Sequence, residues 1–224
     1  MKLHHLFLPL SLLFTGCASS LPNTDEVKDI DTKHYFVESS FEDGNAGMSW
    51  IVKGADQFDF NEFHFEKVDV DETGVDPHVS EGVEQKFASN LQEKLSQRVA
   101  SKLPSHKTKM LPNRAMDISL TLYDIEDMPE NLRVTEVIPV GTVIGAIKYA
   151  TGVRDRSIRL VASVDLIDDQ SKELIARRLF VVNNNGVLEN DDSPITLKML
   201  EKNVDTITNQ AIDFVMHVAY EEKG

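Results

Sequence analysis

Three groups of side chains stand at spacings that known chemistry uses. His64-Phe65-Glu66 sets an imidazole and a carboxylate at alternate positions, the His-x-Glu spacing of zinc deaminases. On a strand the two would share a face. No Pro-Cys-x-x-Cys segment exists to complete a zinc site, so a solvent-facing edge pair opposite Phe63 and Phe65 is expected. Asp69-Val70-Asp71-Glu72-Thr73-Gly74 opens like a calcium loop, with acidic oxygens at alternate positions and a glycine for the sharp turn. The position that needs a bidentate Glu is Ser80, and the residues ahead of the loop read as strand rather than helix, so a solvated turn is expected. Asp213, His217 and Glu221 recur every fourth residue, the pattern of a charged outer helix face. No Gly-x-Ser-x-Gly, His-Glu-x-x-His or phosphate-loop motif occurs. The expectation is a non-enzymatic protein with no catalytic residues, metal or cofactor.

The single cysteine carries a different chemistry. One cysteine cannot form an internal disulfide, so Cys17 needs another purpose. Met1-Lys2 is a short positive start. Leu3 to Phe14 is an apolar run too short for a permanent span, which takes about 20 residues. The run ends in Leu13-Phe14-Thr15-Gly16-Cys17, which resembles the lipobox of bacterial lipoproteins, with Phe14 where Leu is usual. The resemblance implies cleavage between Gly16 and Cys17, a diacylglycerol on the sulfur and a palmitate-type chain on the freed amine. Each buried methylene contributes about 0.8 kcal/mol, and two or three chains make the attachment effectively permanent. Ala18, rather than Asp, follows the cysteine. That resembles the outer-membrane sorting state and implies a periplasmic-face location in a Gram-negative host.

The elements behind this anchor follow from patterning. Residues 1–16 read as a lipoprotein signal peptide and 17–34 as a flexible tether containing Pro22; 35–224 reads as one domain. The packed region starts near Trp50-Ile51-Val52. Glu62 to Asp71 reads as a strand whose apolar phase switches between Phe63/Phe65 and Val68/Val70, which predicts a bulge near Glu66-Lys67. Val83, Phe87, Leu91, Leu95, Val99 and Leu103 mark a helix, begun by Asp76-Pro77 or Ser80 and stopped by Pro104. Strands follow at Met116–Tyr123, Ile158–Leu166 and Leu174–Val182, the last two joined across Asp168 to Lys172 as a hairpin. An acidic loop, Asn183 to Asp192, leads through Ser193-Pro194 to one long amphipathic helix from Ile195 to Val218. The order is β-α-β-β-β-α. Two long helices on one face of a mixed, roughly four-stranded sheet would give an α+β two-layer sandwich.

From Trp50 to Val182 this order resembles a family of Gram-negative outer-membrane lipoproteins known as an uncharacterised domain. The resemblance rests on Trp50, on Gly54-Ala55-Asp56 leading into Phe63–Val70, and on the strand from Asp117 to Asp127 with its acidic end. It continues through a Gly-bearing connector, Val140 to Gly152, and the hairpin from Ser157 to Val182, where Gln170-Ser171 replaces the usual Thr-Gly. It implies a compact α+β fold and a cell-envelope lipoprotein, and no activity.

Charge narrows the partners. Lys and Arg total 23 against 37 Asp and Glu, a net charge of −14. Such a surface repels phosphate backbones, so no nucleic acid is expected. Val134 to Val153 is long for a connection between neighbouring strands, and long connectors are often functional. Val140, Val143, Ile144, Ile147 and Tyr149, flanked by Arg154 and Arg156, form a candidate interface for a protein or cell-wall partner, a second copy of the chain included. A small-ligand carrier with a pocket between sheet and helices is the alternative.

Overall fold

The computed structural model describes residues 21–41, 45–55, 60–103, 114–129, 156–188 and 193–221. The expected signal peptide, Gly16, Cys17 and the connector with Val140, Val143, Ile144, Ile147, Tyr149 and Arg154 lie outside them. Helix α1 (Thr24–Ile30) precedes the short strands β1 (Val37–Ser40) and β2 (Ala46–Ile51). β3 (Glu62–Val70), α2 (Val83–Lys102), β4 (Ala115–Pro129), β5 (Arg156–Asp168) and β6 (Leu174–Leu188) follow. The chain closes with α3 (Leu197–Glu201), α4 (Val204–Met216) and a π turn, His217–Glu221.

The strands make one sheet in the order β1-β2-β6-β5-β4-β3. β3 and β4, joined through α2, are parallel, and the other neighbouring pairs are antiparallel. The expected bulge is present: the β3–β4 register shifts between Phe65 and Lys67. There Gln92 of α2 accepts from Val68 N at 2.7 Å and donates to Glu66 O at 3.3 Å, as a neighbouring strand's peptide would. This keeps Phe63 and Phe65, then Val68 and Val70, against one core.

That core fills one face of the sheet. Met116, Ile118, Leu120 and Leu122 of β4 and Ile158 to Leu166 at alternate positions of β5 meet Phe87, Leu91 and Leu95 of α2 and Ile207, Phe214 and Val215 of α4. Alternation in β5 turns Arg159, Val161, Ser163 and Asp165 to the opposite, outer face.

The architecture is α+β, and five features depart from the sequence expectation. The sheet has six strands, not four. β1 and β2 were hidden because Gly47, Ser39 and Ser49 turn toward a polar pocket rather than an apolar core, so no hydrophobic alternation marks them. Part of the stretch read as a flexible tether is a helix: Asn23 accepts from the backbone N–H of Asp25 and Glu26, each at 2.9 Å, while Glu26 accepts from Asn23 N at 2.7 Å. This reciprocal cap stabilises a helix only two turns long, which sits on the outer face, so helices lie on both sides. β6 runs through the stretch read as an acidic loop, pairing as far as Arg156↔Leu188. The last helix is also broken. Ile195 stays extended, bridging Val79, and the turns restart at Asn203, whose side chain type competes with helical backbone bonds. The N-cap of α2 is Gly82 at φ 70°, not Ser80 or Asp76.

Candidate functional site on the outer sheet face

α1 carries no fully buried residue, so apolar burial contributes little to its docking. Charge holds it. Arg159 donates to Glu26 at 2.8 Å and faces Glu126 at 3.4 Å. One turn on, Arg177 donates to Asp31 at 2.9 Å and to Asp165 of the adjacent strand at 2.6 Å. His34 closes the arrangement, 2.8 Å from Asp31 and with its ring 3.8 Å from that of Trp50. Burial opposes ionisation of Asp31, but the hydrogen bonds from His34 and Lys33 outweigh it and hold the carboxyl below its ordinary value. Burial likewise works against charged Arg159, and its bond to Glu26 raises it nonetheless.

A cavity of about 300 Å³ opens beside this helix, lined by Glu26, Asp29, Asp71, Gly74, Tyr123 and Asp124. Its wall is the Asp71–Gly74 turn, which opens like a calcium loop in sequence. Asp71 there caps a single turn, Glu72–Gly74, accepting from Thr73 N at 3.0 Å and from Thr73 Oγ1 at 2.6 Å. Gly74 is required for contact: a Cβ at that position would lie 1.8 Å from the Tyr123 carbonyl oxygen. Asp124 follows the β4 register shift, and burial, then the charges of Glu126 and Glu26, push its carboxyl up to about 6 despite Arg159.

A second cluster lies farther along the same face. Register places His64 of β3 directly opposite Asp117 of β4. His64 Nδ1 is 3.4 Å from Asp117 Oδ1, and His64 Nε2 is 3.2 Å from Glu62 Oε1. The hydrogen bond to Glu62 raises the imidazole pKa, against burial and with help from Asp117. Lys172, at φ 58° in the hairpin turn, donates to Asp117 Oδ2 at 3.0 Å and also bonds Asp169. His64, Glu66 and Asp117 can bring one ligand atom each to within 4.8 Å of one another. The sequence shows His64 and Glu66 as a pair, but Asp117 enters only through strand register.

On the core side, Arg178 is fully buried under α4. It donates to Ser39 Oγ at 2.8 Å, Ser49 Oγ at 3.1 Å, Asn45 O at 2.9 Å and Gln210 Oε1 at 3.2 Å, and its guanidinium lies 4.2 Å from the Phe41 ring centre. A Cβ at Gly47 would stand 2.7 Å from that guanidinium, so a small residue is needed there. Arg156, the described member of the candidate interface, bonds Asp127 at 2.7 Å across β4 and β5. His217 lies 4.8 Å from the Phe41 ring at the start of the π turn, where winding no longer keeps a four-residue ladder.

Fold and site together define an acidic α+β domain whose mixed sheet carries a charged, helix-clasped outer face. Among the described residues no helix is long and apolar enough to cross a membrane. The chain belongs to a family described as protein of unknown function (DUF3313), whose profile matches residues 30–211. No functionally curated protein sequence matches it. Among solved structures it is similar to XCC0632 from Xanthomonas campestris, a DUF330 protein, at TM-score 0.42 and 8% identity, covering 77% of this chain and 92% of that one. A putative neuraminyllactose-binding hemagglutinin homolog from Helicobacter pylori gives TM-score 0.34 and 13% identity, covering 77% and 96%. Lipoprotein GNA1162 from Neisseria meningitidis gives TM-score 0.27 and 10% identity, covering 67% and 97%.

Proposed function

We propose that the protein is a cell-envelope lipoprotein, anchored by acyl chains on Cys17 to the periplasmic face of an outer membrane, whose domain binds a protein or cell-wall partner without catalysing a reaction. The observation that carries this reading is the lone cysteine that follows a short apolar run, Leu3 to Phe14, and the small pair Thr15-Gly16. The clasped α1 gives the anchor a mechanical consequence. Only five residues, six backbone steps, separate Cys17 from the cap of α1 at Asn23. At roughly 3.3–3.6 Å per residue they reach about 20 Å at most, so the lipid holds the domain close to the bilayer and the charged outer face starts from its membrane-proximal end.

The partner surface in this reading is the connector, with Val143 and Ile147 at its apolar centre. A photo-crosslinking residue placed at either position in the native envelope should give a discrete adduct of higher mass. Cys17→Ser should abolish it by removing the protein from the membrane. Envelope-anchored protein that yields no adduct from either position would overturn partner binding through the connector.

A further inference from the structure

We propose that His64, Glu66 and Asp117 form a binding site for a zinc-class divalent cation on the outer face of the sheet. Zinc binds nitrogen and carboxylate oxygen at about 2.0–2.2 Å with tetrahedral angles, which sets neighbouring ligand atoms about 3.4 Å apart. His64 Nδ1 and Asp117 Oδ1 stand 3.4 Å apart, long for a good hydrogen bond and right for two ligands of one ion. Glu66 shares the face with His64 because the two alternate on β3, and its carboxylate reaches the same space.

The surroundings match what metal ligands need. A ligating imidazole almost always gives its other ring N–H to a carboxylate or carbonyl, which fixes the ring. Glu62 Oε1 stands 3.2 Å from His64 Nε2 for that purpose. Lys172 holds the remaining oxygen of Asp117, leaving Oδ1 turned toward His64. Three protein ligands leave one tetrahedral position open to water or to a partner's carboxylate. The donor set, one imidazole and two carboxylates without thiolate, suits zinc and its neighbours in the first transition row rather than calcium, which takes six or more oxygens. The ion would join β3 to β4 beside the bulge that Gln92 covers.

The test is a zinc titration of the full-length chain in mild detergent against a chromophoric chelator. The chain holds seven histidines, so the readout is the equivalent that specific variants remove. His64→Gln and Glu66→Gln change partly exposed side chains, and each should weaken one bound equivalent at least tenfold with circular dichroism unchanged. Asp205→Asn, an exposed carboxylate on α4 that pairs with Lys94 outside this cluster, should leave that equivalent in place. Cobalt loading should give visible bands of low coordination number that His64→Gln removes. Zinc stoichiometry and affinity unchanged in both His64→Gln and Glu66→Gln would overturn the site.

Discussion

Single residues divide here into those whose chemistry a sequence displays and those that only folding defines. Arg178 is the clearest of the second kind. Its neighbours in the chain alternate as an ordinary strand, yet its side chain is sealed beneath Gln210, Ser39 and Ser49. Nothing local distinguishes it from Arg177, which faces the other way and pairs with Asp165 and Asp31. Replacing Arg178 with Met would strand several buried acceptors, and such losses cost about 3 kcal/mol or more. Urea unfolding of Arg178→Met should show that loss, while Lys94→Met, at the exposed pair with Asp205, should lose less. Asp124 gives a pH dependence. Its carboxyl titrates near 6 in the folded chain against an ordinary 3.8. A raised acid favours the fold while protonated, so its contribution is complete below about 4 and is lost as pH rises through 6. Asp124→Asn should therefore be more stable than the parent at pH 7 and equal to it near pH 4. About 1 kcal/mol is expected at pH 7 once solvent screening of a half-exposed group is allowed for, and unfolding midpoints at the two pH values measure it.

At the scale of elements, the parts legible in advance were those whose inner face is apolar. The step of four from Val83 to Leu103 gave α2 its length, because Phe87, Leu91 and Leu95 all enter one core. The phase switch in β3 gave the bulge. What stayed hidden follows the opposite logic. β1 and β2 serve a buried guanidinium with hydroxyls and a glycine, and α1 docks through ion pairs, so hydropathy marks none of them. The His64 site was half visible for the same reason: alternation shows the pair on β3, whereas register with a strand more than fifty residues away supplies Asp117. The Asp71–Gly74 turn shows how element packing decides a residue type. Gly74 meets the Tyr123 carbonyl oxygen and the Asp124 carboxylate, so any side chain must push β4 away. Gly74→Ala should cost about 2 kcal/mol, in line with overpacked contacts against backbone. Thermal unfolding of that variant at pH 7 checks it, and a midpoint unchanged from the parent would show that the turn does not rest on β4 as described.

For the molecule as a whole, charge and anchorage act together. In the proposed reading, a net charge of −14 keeps the chain's surface away from anionic headgroups while acyl chains on Cys17 hold it to the same bilayer. The clasp of α1 by Arg159 and Arg177 decides how much chain is left to span between them. The account of where the protein works, and of whom it can meet, thus rests on the fate of one sulfur atom. Intact-mass spectrometry of the protein extracted from its native membranes reads that fate directly. The predicted species begins at Cys17 and carries a diacylglycerol with a further acyl chain on its amine. A mature form starting at another residue, or one starting at Cys17 without acyl mass, would contradict it.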